Sequence, residues 1–350
     1  MVKYYTRACN FHYGSTSQEK VKNKQSIPLH GNKLISFDTI EILTRKKKIK
    51  KINIKKIEKL SHKIRKKVLI DIKNISKKKK FKGLKFSHLP QLMGVLNLTP
   101  NSFSDGGKYN KKDFGVKHAK KLFSDGCNIL DIGGEATNPG SKEVGIDKEW
   151  KRIFPTLVKL KRLKKFISLD TRKSEIMKKG IKNKISLIND ISGLNHDLNT
   201  INVLKKFNVP FVIHHIQGKP DTMQNNPNYK NVLLDIYDFF ENKIRYLRSK
   251  GIRHNNIILD PGIGFGKNLK HNITLLRNIS IYHSLGFPVM LGTSRKRFIK
   301  NLSGVNDSKD RLGGTIASNL SAIMQGVQIL RVHDINEINQ SIKVFNSLKF

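Results

Sequence analysis

The chain has 350 residues and carries 68 Lys and Arg against 26 Asp and Glu, a formal net charge of +42. That length can bury a full core, as one large domain or a large domain with an appendage. No apolar run approaches a membrane span, the first residues lack the apolar core of a secretory signal, and Cys9 and Cys127 give neither a disulfide framework nor metal-ligand spacing. A cytoplasmic protein is therefore expected, with Cys127 a small core residue. The lysines come without interleaved aromatics or an Arg-rich stripe, which argues against a nucleic-acid partner and for compositional drift. An anionic substrate would still gain from the field.

Residues 1–85 form a basic region of distinct texture, with runs at Arg45–Lys48 and Lys77–Lys80 and little Gly or Pro. Residues 34–37 and 39–44 read as strands. Ile54, Ile57, Leu60, Ile64 and Val68 fall at helical spacing and predict one amphipathic helix with a basic outer face. The expectation is a small α+β accessory region of unknown role, joined to the rest by a linker at Lys77–Lys82.

From about residue 91 short apolar runs alternate with amphipathic stretches. Strands are expected at 92–96, 128–132, 166–170, 185–189, 210–214, 256–260, 287–291 and 327–331. Helical patterns lie near 111–125, 147–164, 173–181, 197–207, 230–250, 271–280, 309–325 and 334–347. In the longest, Val232, Leu233, Ile236, Phe240, Ile244 and Leu247 form one stripe, and Gly251 stands where a left-handed cap is wanted. Eight strand–helix units across residues 86–350 predict an α/β fold, a (β/α)8 TIM barrel, rather than an open doubly wound sheet.

Active residues of such a barrel gather where strands end. Each predicted strand here ends in polar groups: Asn97; Asp131 to Gly140; Asp170-Thr171-Arg172-Lys173; Asn189-Asp190; His214-His215; Asp260 to Lys267; Gly292 to Lys296; and Arg331 to Asp334. Helix caps explain some Asp and Ser at these positions but not carboxylates at strand ends, nor Arg and His closing the last strand. Gly262-Ile263-Gly264-Phe265-Gly266 lacks the dinucleotide spacing, and Asn268 after Lys267 excludes a Walker loop. Adjacent His214 and His215 point to opposite faces of a strand and cannot share one zinc. Asp131 can be read simply as a strand terminator. The Asn-, Ser- and Gly-rich stretch Asn97–Gly107 offers hard oxygen donors suited to a metal-bound, phosphate-bearing ligand.

In order and spacing, these segments, with Gln217-Gly218 and Ser294-Arg295-Lys296, resemble the dihydropteroate synthase family over about residues 88 to 345. The resemblance implies a transferase of folate (tetrahydrofolate) biosynthesis. It would join 6-hydroxymethyl-7,8-dihydropterin diphosphate to 4-aminobenzoate, giving 7,8-dihydropteroate and diphosphate, with Mg²⁺ as cofactor, sulfonamides as competing ligands and a homodimer as the assembly. By the same resemblance Asp260, with Asn189 and Asp170 beside it, reads the pterin edge, and Lys296 covers the ring's carbonyl side. Arg331, His333 and Asn97 receive the diphosphate, Asn97 also reaching Mg²⁺. Asp105 stabilises the cationic methylene carbon, while Phe103, Thr137, Pro139, Phe265 and Lys296 shape the aminobenzoate slot.

Two positions depart from the family pattern. Many relatives carry Ser-Thr-Arg-Pro where this chain has Ala136-Thr137-Asn138-Pro139, which removes a cation expected near the diphosphate and the aminobenzoate carboxylate. Asn101 stands where Asp is common. The loss at Asn138 would weaken turnover, shift the task to Arg297 or a nearby lysine, or mark a paralogue that binds pterin without synthesis. The related pterin-binding methyltransferases share the barrel but have no use for the first loop or the Arg331/His333 anion site.

Overall fold

The computed structural model describes residues 2–46, 50–99, 113–136 and 140–350. In the N-terminal region β1 (Tyr5–Tyr13), β2 (Ile27–Leu29), β3 (Asn32–Leu43) and β4 (Lys50–Asn53) form an antiparallel sheet in which β3 pairs with the other three. Helix α1 (Gly14–Lys22) connects the first two strands. The strands expected at 34–37 and 39–44 are one continuous strand. Asp38 does not break it because its carboxylate accepts from Asn10 Nδ2 at 2.7 Å and pairs with His12 Nε2 at 2.8 Å.

The single helix expected from Ile54 to Val68 is two elements. A 3₁₀ turn at Ile54–Lys59, capped by the Asn53 side chain, ends at the extended Leu60, and α2 (His62–Ser76) then begins. Leu60 is buried, as its place on the apolar stripe implies, but its extended backbone breaks the helix there, which the spacing does not reveal. Nor is Lys77–Lys82 a solvated tether. Lys79 and Phe81 are both buried, and Phe81 packs into the bottom of the barrel.

Eight parallel strands make the barrel wall: β5 (Gln91–Asn97), β6 (Ile129–Gly133), β7 (Phe166–Asp170), β8 (Leu187–Asp190), β9 (Phe211–His214), β10 (Ile257–Asp260), β11 (Met290–Leu291) and β12 (Ile329–Val332). Their order is β10-β9-β8-β7-β6-β5-β12-β11. The two ends meet through a Leu259–Val289 bridge, with Leu259 N–H donating to Pro288 O at 2.9 Å. That closure removes the open-sheet alternative. Each expected strand is found within a few residues of its place, as are the eight expected helices: α3 (Phe114–Ser124), α4 (Ile146–Leu160), α5 (Ser174–Lys182), α6 (Thr200–Phe207), α7 (Val232–Ser249), α8 (Leu269–Arg277), α10 (Leu312–Met324) and α11 (Ile335–Lys349). A short α9 (Arg297–Ser303) was not anticipated.

Helix α7 shows why the pattern was readable. Asn231 caps its start by accepting from Leu234 N–H at 3.2 Å. At its end Ile252 N–H returns to Leu247 O and Gly251 N–H to Arg248 O, with Gly251 at φ +85°, so a left-handed glycine closes the last turn.

The barrel interior is layered by the two-residue repeat of its strands. Met93, Ile129, Leu187, Val212, Ile258, Met290 and Ile329 form one apolar floor, sealed from below by Phe81. Each such buried side chain contributes roughly 1.5–3 kcal/mol. Two residues further along the same strands, on the same face, the chemistry changes.

Candidate active site

Directly above the floor stand Asp131, Asn189, His214, Asp260, Gly292 and Arg331, from β6, β8, β9, β10, the end of β11 and β12. One strand step higher lie Asn97, Gly133, Asp170 and His333. Strand alternation thus delivers a polar layer on an apolar one at the C-terminal mouth.

Arg331 organises the layer. Its Nε donates to Asp131 Oδ2 at 2.7 Å and its Nη2 to Asp170 Oδ2 at 2.8 Å. Asn189 Nδ2 donates to the same Asp131 oxygen at 3.0 Å. One guanidinium therefore spans two acids from neighbouring strands, a geometry a lysine could not supply. Burial pushes the Asp170 carboxyl up to about 8, against the pull of Arg331. Asp131 Oδ1 and Asn189 Oδ1 are buried without a hydrogen-bond partner. Orphaned acceptors this deep are costly unless a ligand supplies donors.

Asp260 faces this cluster from β10. Its Oδ1 accepts from Gly262 N–H at 2.8 Å, and His214 Nε2 lies 4.0 Å from Oδ2. Burial raises the Asp260 carboxyl, opposed chiefly by Lys296. The turn that follows needs Gly262: at φ +67° a Cβ would stand 2.0 Å from His215 O. Lys296 donates to Ile263 O and holds its ammonium 4.7 Å from the Phe265 ring centroid, a cation–π contact. Burial lowers the Lys296 ammonium to about 8. His214 and His215 do diverge: His214 packs edge-on to Phe265, and His215 lies against Phe239.

Lys267 is buried behind the turn, its ammonium on Phe265 O at 2.8 Å, His215 Nδ1 at 3.1 Å and His215 O at 3.4 Å. It is a strut between the ends of β9 and β10. A second buried network flanks the mouth: Arg172 and Lys173 both pair with Glu135 at 3.0 Å, and Lys173 reaches Glu149 at 2.6 Å. His333 Nδ1 lies 3.0 Å from Ser294 Oγ. Burial, then Arg295 and Arg331, lowers its imidazole to about 3, so it is neutral near pH 7. Arg295 itself is committed to Asp334.

The structure brings together Asn97, Asp170, Asn189, Asp260, Phe265, Lys296, Arg331 and His333. The expected positions Phe103, Asp105, Thr137 and Pro139, with Asn101 and Asn138, lie outside the described residues. Sequence reasoning passed over Asp131 and Lys267. Asp131 carried one usable signal, its position two residues after the floor residue Ile129, the spacing that also yields Asn189, Asp260 and Arg331.

Among the described residues no three His, Cys, Asp or Glu side chains cluster to hold a metal by themselves. The donors do fit a hard ion shared with a phosphate ligand. A Cβ at Gly133 would stand 3.7 Å from Asn97 Oδ1 and 3.5 Å from Asp170 Cβ, and the free Asp131 oxygen lies one step below. Magnesium takes few protein oxygens and fills its shell with phosphate and water.

Residues 93–333 match the family model described as "Pterin binding enzyme". The dihydropteroate synthase of Escherichia coli (strain K12) is 39% identical over 263 residues, covering 75% of this chain and 92% of that protein. A Yersinia pestis dihydropteroate synthase solved with a sulfonamide drug aligns with TM-score 0.73 and 37% identity, over 77% of this chain and 98% of that one. The Xanthomonas albilineans enzyme solved with 4-aminobenzoic acid aligns with TM-score 0.69 and 33% identity, over 74% and 93%. By these matches the chain belongs to the pterin-binding enzyme family.

Proposed function

We infer that the chain catalyses dihydropteroate synthesis, condensing 6-hydroxymethyl-7,8-dihydropterin diphosphate with 4-aminobenzoate in folate biosynthesis. The observation that carries this is the convergence of Asp131, Asp170, Asn189, Asp260, Lys296 and Arg331 above one apolar floor. A flat pterin with donors along one edge would satisfy the orphaned oxygens of Asp131 and Asn189 and meet the Asp260 carboxylate. Lys296, already held over Phe265, would cover the carbonyl side of the ring.

The diphosphate is placed toward Asn97 and His333. Arg331 serves both ligand halves in this reading, because its two carboxylate partners belong to the pterin side. Mg²⁺ held by Asn97 would neutralise charge on the departing diphosphate. Aminobenzoate is a neutral aniline and needs orientation more than activation. Phe265 and Lys296 orient it, with Phe103, Thr137 and Pro139 assigned the same slot by family resemblance, and Asp105 assigned to the cationic methylene carbon.

Residues 86–350 are proposed as the synthase barrel and 1–85 as an accessory unit. The active form is proposed to be a cytoplasmic homodimer; no described helix is long and apolar enough to cross a membrane, and both cysteines are free. Purified protein with both substrates and Mg²⁺ should form dihydropteroate, and Asp260→Ala should lose pterin binding. Pterin diphosphate binding without product would instead favour the paralogue reading motivated by Asn138.

A further inference from the structure

At the opposite, N-terminal mouth of the barrel, a cavity of about 180 Å³ lies where the N-terminal region meets the barrel wall. Its walls include Lys33, Lys78, Lys79, His30, Ser87 and Gln328, and no carboxylate. Gln328 immediately precedes β12, so the cavity lies at the far end of the strand that carries Arg331.

The cavity is built by a specific turn. His30 and Gly31, at φ 52° and 72°, join β2 to β3 in a tight two-residue hairpin. A Cβ on Gly31 would meet Lys78 Cβ at 3.2 Å and its main-chain nitrogen at 3.3 Å, so glycine lets the 77–82 segment close onto the turn. Unpaired lysines are common in so basic a chain, but Lys79 is buried, and its ammonium donates to Asn74 O. Burial and then Lys77 lower it to about 7. The walls also hold an unpartnered donor: Gln328 Nε2 is buried without a hydrogen bond, whereas His30 commits its Nε2 to Gly326 O at 3.3 Å. Gln328 is committed only through its oxygen, which accepts from Val289 N–H at 2.8 Å.

Three lysines, Lys33, Lys78 and Lys79, line a small cavity that has no acid in its walls, and an anion would stabilise that arrangement. We propose that this cavity is a second ligand site, binding a small phosphate-bearing anion at the seam between residues 1–85 and the barrel. The assignment is independent of the chemistry at the C-terminal mouth. It gives the N-terminal region a task, since Lys33, Lys78, Lys79 and His30 all belong to it while Gln328 belongs to the barrel.

The test is calorimetric titration of the full chain with inorganic phosphate at constant ionic strength, with glycerol 3-phosphate as a second arm to distinguish free phosphate from a monoester. Affinity should fall about tenfold or more in Lys33→Gln/Lys78→Gln, two exposed positions, and in Lys79→Met. The control Lys63→Gln/Lys66→Gln removes the same charge from the exposed face of α2 and should leave affinity within about twofold. Synthase turnover should be unchanged in the Lys33→Gln/Lys78→Gln protein. No binding at millimolar phosphate, affinity unchanged in both cavity variants, or an equal loss in the control would each overturn the proposal.

Discussion

Arg331 Nε lies 2.7 Å from Asp131 Oδ2, joining residues 200 positions apart in the chain. The same guanidinium holds Asp170, so removing it strands two buried acids. Breaking such a buried network by deleting one partner costs about 3–5 kcal/mol. Arg331→Ala should therefore lower the stability of the unliganded protein by that amount in urea denaturation. It should also weaken binding of bare pterin along with that of the diphosphate ester. If Arg331 served the diphosphate alone, calorimetry would find bare pterin binding unchanged, and the clamp assignment would fail.

Lys296 supplies a pH signature. Its ammonium is lowered to about 8 by burial, so the charge it offers a ligand is present below that pH and lost above it. Pterin affinity should be flat from pH 6 to 7 and fall as pH rises through 8, about tenfold per unit at the limit. Lys296→Met should bind more weakly at pH 7 and lose that dependence. An identical alkaline fall in the variant would assign the titration to another group.

How much of this was legible before any coordinates follows from how local each signal is. The barrel strands are short apolar runs closed by Gly or polar residues, and α7 carries its stripe, cap and glycine stop within twenty residues or so. Asp260 and Lys296 stood in dense motifs. Asp131 heads the Asp131–Gly140 segment yet reads there as a strand terminator: its meaning comes from Arg331, a pairing across the barrel that the neighbouring residues do not encode. Lys267 was seen only as the end of a glycine-rich turn, since its partner His215 lies on another strand. In the N-terminal region β1 was missed because its two-residue alternation is weak: Tyr5 and Thr6 are adjacent and both buried, and the polar Asn10, at φ 54°, sits mid-strand although the register with β3 is the same on either side of it.

Asp190 offers a stability measurement apart from ligand binding. Burial raises its carboxyl to about 6, opposed by the Ser192 hydrogen bonds, against an unfolded value near 3.8. Between those values the folded state binds the extra proton, so this group's contribution to stability falls as pH rises from about 4 to 6 and is constant above. The limit is roughly 3 kcal/mol. Asp190→Asn keeps an acceptor for Ser192 and removes the titration. Its stability relative to wild type should rise from pH 4 to pH 7, and a difference that does not change with pH would rule the assignment out.

Tyr5 tests whether the N-terminal region is structurally separable from the barrel. It is fully buried in the main core, its ring edge-on to Tyr237 of α7 at 5.1 Å and its hydroxyl 3.0 Å from both Asp238 oxygens. Lys3 and Arg45 pair with the same aspartate, and Ser280 Oγ reaches Ala8 O at 3.0 Å, so β1 is fastened to the barrel flank along its length. Truncating a buried aromatic costs about 3–5 kcal/mol. Tyr5→Phe should cost only about 1 kcal/mol, because the packing remains and Asp238 keeps its two cations. In calorimetry Tyr5→Ala should shift one cooperative transition that includes the barrel. If the two regions melted separately, the variant would move a small early transition and leave the main one in place. The fastening by Tyr5 would then be local, and the barrel's stability would rest on its own floor and helices.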